Sequence, residues 1–144
     1  ARMTQVLLQS KPSKVLELGT GSGFQTAILA QLVSDVYSVE RIRPLQDKAK
    51  QRFKQMGLRN VYTRHADGGM GWPGSAPFDG IIVTAAPSEI PKELLSQLAD
   101  GGRLVIPVGE DTQQLTVVTR QGDDFNYEII EPVYFVPLLG GVIR

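Results

Sequence analysis

Residues 15–25 are Val15-Leu16-Glu17-Leu18-Gly19-Thr20-Gly21-Ser22-Gly23-Phe24-Gln25. The apolar run at the start, closed by a glycine, is typical of a short strand buried on both faces of a parallel sheet. The three glycines let the backbone turn sharply and approach a ligand closely, because no Cβ stands in the way. Ser22 and Gln25 have the spacing of a capping box, which predicts that a helix begins here. The stretch therefore predicts a strand, a glycine turn and a helix whose first N–H groups can hold a polar ligand.

Strands and helices alternate on both sides of this stretch. The predicted strands are residues 14–18, 35–40, 60–65, 78–84 and 103–108, followed by 114–120 and 125–130 around a turn at 121–124, and by a last apolar run at 133–138. The predicted helices are residues 2–9, residues 23–33, one with Pro44 in its first turn and Gly57 at its end, and one that opens at Pro91 and ends at Gly101-Gly102. This order predicts an α/β fold with a mostly parallel sheet, helices on both faces and antiparallel strands at the C-terminal end.

Length and composition limit the possible functions. The 144 residues predict one domain, 1–144, and the 15 basic and 15 acidic residues give a net charge of zero. A neutral domain has no strong attraction to nucleic acid or to an anionic membrane, and no apolar run approaches the ~20 residues of a membrane span. The absence of cysteine excludes disulfides and thiol chemistry. It also fits a reducing compartment, so we expect a cytoplasmic location. From the neutral charge we expect no nucleic-acid or membrane partner.

Unusual residues collect where four predicted parallel strands end. The first strand ends in Gly19-Thr20-Gly21, the second in Glu40, the third in Asp67-Gly68 and the fourth in Thr84-Ala85-Ala86. In open α/β sheets, ligands bind at the carboxyl ends of the strands, near the point where the strand order reverses. The sequence therefore predicts one ligand site at this edge of the sheet.

Two acids at this edge suit a nucleoside. Glu40 can accept hydrogen bonds from both ribose hydroxyls, and its charge would repel the 2′-phosphate of NADP. The alternative is a strand-end acid paired with Arg41 or Arg43. Asp67 can accept the amino group of adenine, and its alternative is an Asx-turn before Gly68. We favour the ligand-binding interpretation for both acids.

Three further side chains have competing interpretations. Glu17 lies inside the apolar strand, where an acid must be satisfied, and it either braces the glycine loop or attracts a ligand's ammonium group. His65 is the only histidine, and a strand-end residue without a catalytic task is favoured over a general base. Trp72 either covers the site or packs on the core. One histidine and no cysteine predict no metal site, and no G-x-S-x-G motif supports a serine nucleophile.

The glycine spacing bears on the identity of the ligand. A dinucleotide fingerprint places a third glycine where this chain has Phe24, so the case for a pyrophosphate is weak. The glycine spacing and the strand-end acids are compatible with an NAD-dependent oxidoreductase, a methyltransferase or a non-catalytic binding module. Neutral charge disfavours an RNA substrate.

The pattern Glu17-x-Gly19-x-Gly21-x-Gly23, with an acid at the end of strand two, resembles class I S-adenosylmethionine-dependent methyltransferases. The whole chain, taken in order, is similar to protein-L-isoaspartate O-methyltransferases. The segments that carry this resemblance are residues 15–27, 38–41, 66–68, 76–87, 101–109 and 135–138. They are spread over essentially the entire chain, so the resemblance is highly specific.

The resemblance implies a Rossmann-like, doubly wound, mostly parallel seven-stranded sheet. It implies transfer of a methyl group from S-adenosylmethionine to the free carboxylate of L-isoaspartyl, and often D-aspartyl, residues in damaged proteins and peptides. The ester would cyclise to a succinimide that partly reopens to aspartate, which repairs the chain. The cofactor-binding residues expected are Glu17, Gly19, Thr20, Gly21, Ser22, Glu40, Arg41, Asp67, Gly68 and Thr84. The substrate is expected at Val136, Pro137 and Leu138, and no metal is expected.

One feature of the family has no match in this chain. The resemblance implies an active-site Ser or Thr shortly before a Gln-Pro, in a segment that precedes the equivalent of Ala1. We therefore expect an N-terminally truncated member of the family, with no catalytic residue of its own and an active parent enzyme. The alternatives are another class I methyltransferase acting on a small molecule and a cofactor-binding fragment without turnover.

Overall fold

The computed structural model describes residues 2–144, so Ala1, the first residue of the predicted domain, lies outside the described residues. The helices are α1 Arg2–Leu8, α2 Phe24–Ala30, α3 Arg43–Gln55 and α4 Lys92–Ser96. The strands are β1 Lys14–Leu18, β2 Asp35–Glu40, β3 Val61–His65, β4 Phe78–Val83, β5 Leu98–Val108, β6 Gln113–Gln121 and β7 Asp124–Val133. None of the helices in residues 2–144 has the length and apolar character that crossing a membrane requires.

All seven strands form one sheet in the order β3-β2-β1-β4-β5-β6-β7. The first five strands in this order are parallel neighbours, whereas β6 and β7 pair antiparallel at one edge. The predicted fold class is confirmed. Because β1 lies between β2 and β4, the chain leaves the centre of the sheet in one direction to β2 and β3, and later in the other to β4 and β5. This reversal places the loop after β1 where α/β sheets bind ligands.

The sheet separates two apolar layers, because alternate residues of a strand point to opposite faces. In β1, Val15 packs with residues of α1 and α2, whereas Leu16 and Leu18 pack on the other face with Leu94 of α4. The predicted placement of helices on both faces is therefore confirmed. By the same alternation, Glu17 lies on the face covered by α1 and α2.

The start of α2 differs from the predicted capping box. Gly23 is the N-cap in a left-handed conformation, with φ of +84° and no side-chain cap. The Ser22 hydroxyl accepts only a long 3.4 Å bond from the N–H of Phe24. The side chain of Gln25 instead donates to the Thr4 hydroxyl of α1 at 2.9 Å. The capping-box prediction was wrong because a tertiary contact to α1 takes the side chain that would have closed the box.

Strand β5 begins earlier than predicted and runs through Gly101-Gly102, which were expected to end a helix. A Cβ on Gly102 would lie 2.9 Å from the Ala99 carbonyl oxygen and 3.0 Å from those of Phe78 and Asp79. The register between β4 and β5 also shifts between Phe78 and Gly80. The glycine therefore permits a close approach of two backbones at a bulge, which is a common role for glycine within a strand.

Candidate functional site

A cavity of about 320 Å³ opens at the C-terminal ends of the central strands. Its lining residues are Leu18, Gly19, Gly21, Val39, Glu40, Arg41, Ile42, Gly68, Thr84, Ala85, Val136, Pro137, Leu138 and Leu139. Most of these residues are apolar, with a few polar groups among them, which is the usual composition of a small-molecule site. The volume lies at the lower end of the range for such sites.

The loop after β1 brings bare backbone to the cavity. Gly19 has φ of +99° and Gly21 has φ of +55°, conformations that residues with side chains rarely adopt. A Cβ on Gly19 would lie 2.6 Å from the Thr84 hydroxyl oxygen, which itself donates to the Leu18 carbonyl at 3.1 Å. A glycine at position 19 thus lets the loops after β1 and β4 meet, and without a Cβ the backbone of this loop can be approached closely by a ligand.

The carboxylate of Glu40 is buried and joins two backbone segments. Its Oε1 accepts the N–H of Gly21 at 2.8 Å, and its Oε2 accepts the N–H of Ile42 at 3.0 Å. Within residues 2–144, Glu40 forms no ion pair with Arg41 or Arg43, so that alternative is not supported. Each carboxylate oxygen retains a further lone pair that can accept a hydrogen bond from a ligand.

Glu17 lies behind the glycine loop, fully buried. Its Oε1 accepts hydrogen bonds from Thr26 and, at 2.7 Å, from Ser38, while its Oε2 has no partner. Burial raises the pKa of Glu17 from 4.5 to about 7, although the two hydroxyls oppose the rise and the negative charge of Glu40 adds to it. The Ser38 hydroxyl is also 2.6 Å from that of Thr20. These contacts support the bracing interpretation of Glu17.

The family described as protein-L-isoaspartate(D-aspartate) O-methyltransferase (PCMT) matches residues 1–142. The chain belongs to this family. A protein-L-isoaspartate O-methyltransferase of Marinobacter nauticus is 65% identical over 144 residues, which are 100% of this chain and 66% of the relative. One from Saccharophagus degradans is 62% identical over 148 residues, again covering 100% of this chain and 66% of the relative. The chain therefore spans slightly less than two thirds of the length of these relatives.

Solved structures of the methyltransferase family have the same fold. One named protein-L-isoaspartate O-methyltransferase matches with a TM-score of 0.89 and 26% identity, over 99% of this chain and 48% of that one. A Plasmodium falciparum protein described as a protein-L-isoaspartate O-methyltransferase, solved in complex with S-adenosyl-L-homocysteine, matches with a TM-score of 0.84 and 26% identity. That match covers 95% of this chain and 71% of the other.

Most of the residues predicted for the methyltransferase site line the cavity. The predicted residues in the cavity lining are Gly19, Gly21, Glu40, Arg41, Gly68, Thr84, Val136, Pro137 and Leu138. Those outside its lining are Glu17, Thr20, Ser22 and Asp67. The last four residues lie in or behind the same loops, so the topology brings the predicted set to one edge of the sheet even where a side chain does not reach the cavity.

The residues outside the lining bind other parts of the protein. The Ser22 carbonyl accepts a bond from Arg52 of α3 at 2.7 Å. Asp67 accepts the N–H of Gly69 at 2.8 Å through Oδ1 and that of Gly141 at 3.0 Å through Oδ2. The first of these contacts is the Asx-turn that was the alternative for Asp67. The second ties the loop after β3 to a distant segment of chain.

The structure also decides between the alternatives for Trp72. Its ring meets Tyr37 edge-on at a centroid distance of 5.2 Å, and it packs against the apolar layer that contains Leu16. It is not part of the cavity lining, so the core-packing alternative is correct. No three acidic or histidine side chains in residues 2–144 form a group that could hold a metal ion.

Sequence reasoning missed several features of the site. Leu18, Val39, Ile42 and Leu139 also line the cavity, and Ser38 links Glu17 to the glycine loop. Ser38 carries a signal in the sequence, because it is a polar residue between Tyr37 and Val39 in a strand, and the structure buries it completely. The approach of residues 139–143 to the strand ends has no local signal.

Proposed function

We propose that the protein transfers a methyl group from S-adenosylmethionine to the free carboxylate of L-isoaspartyl and D-aspartyl residues in damaged proteins and peptides. The observation that carries the proposal is the cavity in which the bare backbone of Gly19 and Gly21 lies beside the buried carboxylate of Glu40, in a chain of this family. The resulting ester can cyclise to a succinimide that partly reopens to aspartate.

The cavity suits the adenosine part of the cofactor. Its apolar side chains, such as Val39, Ile42 and Leu139, can enclose a flat aromatic base. The carboxylate of Glu40 has free lone pairs for the ribose hydroxyls, and its charge disfavours a ligand with a 2′-phosphate. The glycine backbone allows the polar end of the cofactor to approach closely.

The predicted cofactor residues divide into two groups under this proposal. Those that line the cavity would touch the cofactor, and they are Gly19, Gly21, Glu40, Arg41, Gly68 and Thr84. Those that hold the loops from behind would position it, and they are Glu17, Thr20, Ser22 and Asp67.

The chemistry demands little from side chains. The bound cofactor supplies an electrophilic methyl group on a cationic sulfur. The accepting carboxylate is already ionised at neutral pH, so no general base has to deprotonate it. Orientation of the reactants can then supply most of the rate acceleration, about 7–11 kcal/mol in favourable systems. The residues of this chain would contribute by binding the two reactants and excluding water between them.

Residues 136–138 are proposed to contact the substrate. The backbone of this segment pairs with Ala86, which donates to the Val136 carbonyl at 2.7 Å and accepts from the Leu138 N–H at 2.9 Å. The segment is thereby held in place beside the cavity while the Val136 side chain stays exposed. An exposed, extended segment next to the cofactor is a suitable place for a peptide to dock. We also propose that residues 1–144 act as one cofactor-binding domain, located in the cytoplasm.

A paired-peptide assay tests the proposal. The intact protein is incubated with S-adenosylmethionine carrying a labelled methyl group and with either an isoaspartyl peptide or its aspartyl twin. We expect a base-labile label on the isoaspartyl peptide alone. Equal labelling of both peptides would contradict the proposed substrate. Failure of the same protein to bind S-adenosylhomocysteine in calorimetry would contradict the proposed cofactor site.

A further inference from the structure

Residues 138–144 form a strap that crosses the edge of the sheet that holds the cavity. The strap contacts Ala86 after β4 through Leu138, Asp67 after β3 through Gly141, and the segment after β2 through Ile143. Because β1 lies between β4 and β2 in the sheet, the strap passes the end of β1 and the glycine loop. Leu138 and Leu139 form part of the cavity wall on this path.

The strap is held by hydrogen bonds together with partial burial of apolar side chains, because Leu139, Val142 and Ile143 are 53%, 43% and 47% exposed. The N–H of Ile143 donates to the Arg41 carbonyl at 2.7 Å, and the Ile143 carbonyl accepts the N–H of Arg43 at 2.8 Å. Arg43 is the first residue of α3, where a backbone N–H has no partner within the helix. The strap therefore caps α3 while it closes one side of the cavity.

His65 joins the same two carbonyl groups. Its Nε2 lies 2.9 Å from the Arg41 carbonyl oxygen and 2.9 Å from the Ile143 carbonyl oxygen. Both oxygens can only accept, so Nε2 must carry the hydrogen and share it between them. A histidine used in this way is not free to act as a general base through Nε2, and His65 does not line the cavity.

We propose that His65 is a positioning residue that locks the strap beside the cavity and so slows both the entry and the release of the nucleoside cofactor. The identity of the cofactor rests on the proposed function. The lock is the hydrogen bond from His65 to the Ile143 carbonyl, and it is present in the protein without ligand. Opening the strap would remove Leu138 and Leu139 from the cavity wall, which is why both rates should depend on the same contact.

Three variants of the protein separate the lock from general stability. His65→Leu keeps much of the bulk but removes the N–H, whereas His65→Gln retains an amide N–H near the position of Nε2. Val142→Ala is the matched control, because it changes an exposed side chain of the strap and leaves the backbone contacts intact. Thermal unfolding of each variant shows whether its fold is preserved.

The lock is measured first by hydrogen exchange of the unliganded protein. We expect His65→Leu to lower the protection of the Ile143 and Arg43 amides at least fivefold, while His65→Gln and Val142→Ala stay within twofold of the wild type. Unchanged protection in His65→Leu would overturn the lock.

The effect on the cofactor is measured with labelled S-adenosylhomocysteine in rapid-mixing experiments. We expect both the association and the dissociation rate to rise at least fivefold in His65→Leu and to return to within twofold of the wild type in His65→Gln. Unchanged rates despite faster exchange would overturn the gating role, as would equal acceleration in Val142→Ala. If the wild-type protein binds no S-adenosylhomocysteine, the proposed function fails, and the exchange result alone still decides whether His65 holds the strap.

Discussion

The carboxylate of Glu40 accepts the backbone N–H of Gly21 at 2.8 Å, so the acid at the end of β2 holds the glycine loop that follows β1. The other oxygen of Glu40 accepts the N–H of Ile42. One side chain therefore sets the distance between the two loops that flank the proposed nucleoside. In the proposed function, Glu40 both shapes the cavity and binds the ribose.

Replacement of Glu40 should weaken cofactor binding, and it should also lower the free energy of unfolding because the N–H groups of Gly21 and Ile42 lose their acceptor. Hydrogen bonds to a charged group contribute about 1.5–3 kcal/mol each. We therefore expect Glu40→Ala to raise the Kd of S-adenosylhomocysteine by roughly 30-fold or more in calorimetry. Glu40→Gln, which retains one acceptor oxygen, should have a smaller effect. Glu93→Gln changes an exposed acid of α4 and serves as the control. An unchanged Kd in a folded Glu40→Ala variant would contradict the ribose role.

Burial of Glu17 should make stability depend on pH. Below pH 4.5 the carboxyl is protonated in both the folded and the unfolded chain, so it adds no pH dependence. As the pH rises from 4.5 to about 7, the unfolded chain loses this proton while the folded protein keeps it, because burial raises the pKa to about 7. The free energy of unfolding therefore falls across this window, by up to about 3 kcal/mol, and the loss is complete above it.

Glu17→Gln tests this prediction, since the amide cannot ionise. Relative to the wild type, the variant should gain stability as the pH rises from 5 to 8, as measured by urea unfolding at intervals of one pH unit. The same Glu93→Gln control should follow the wild-type profile. Parallel profiles for Glu17→Gln and the wild type would show that Glu17 titrates normally.

A pair of glycine substitutions separates backbone strain from packing. Gly23 and Gly57 have φ of +84° and +71°, so alanine is strained at both positions. A Cβ on Gly23 would also lie 2.8 Å from the ring of Phe53, whereas one on Gly57 meets nothing within 4 Å. We expect Gly57→Ala to cost about 1 kcal/mol and Gly23→Ala to cost about 2–4 kcal/mol in urea unfolding. Equal losses would mean that Phe53 moves aside at no cost.

Gln113 should be important for the segment that precedes the proposed substrate contact. Its side chain donates to the Phe135 carbonyl at 2.9 Å and accepts the Phe135 N–H at 2.6 Å. Gln113→Ala leaves both backbone groups without this partner, which should cost about 1–3 kcal/mol in the free energy of unfolding. Hydrogen exchange at Phe135 should become faster in the same variant. The adjacent Gln114 is exposed, and Gln114→Ala should change neither quantity.

Much of the fold could be predicted because its signals are local. The bounds of β1 and β2 agree with the prediction, since short apolar runs closed by a glycine or an acid identify buried strands. Glu40 and Gly21 could be assigned to one site because parallel strands end at the same edge of a sheet. The failed capping box shows the limit of this reasoning, because Gln25 binds a helix that lies outside its own local sequence.

The sequence by itself determined the alternation of strands and helices, the glycine loop and the acids at the strand ends, because each depends on residues close together in the chain. Only the tertiary structure decided that Glu17 pairs with Ser38 across two strands, and that His65 contacts Ile143 from 78 positions away. The register of two strands and the path of a strap depend on the packing of the whole sheet. No short stretch of sequence contains that information.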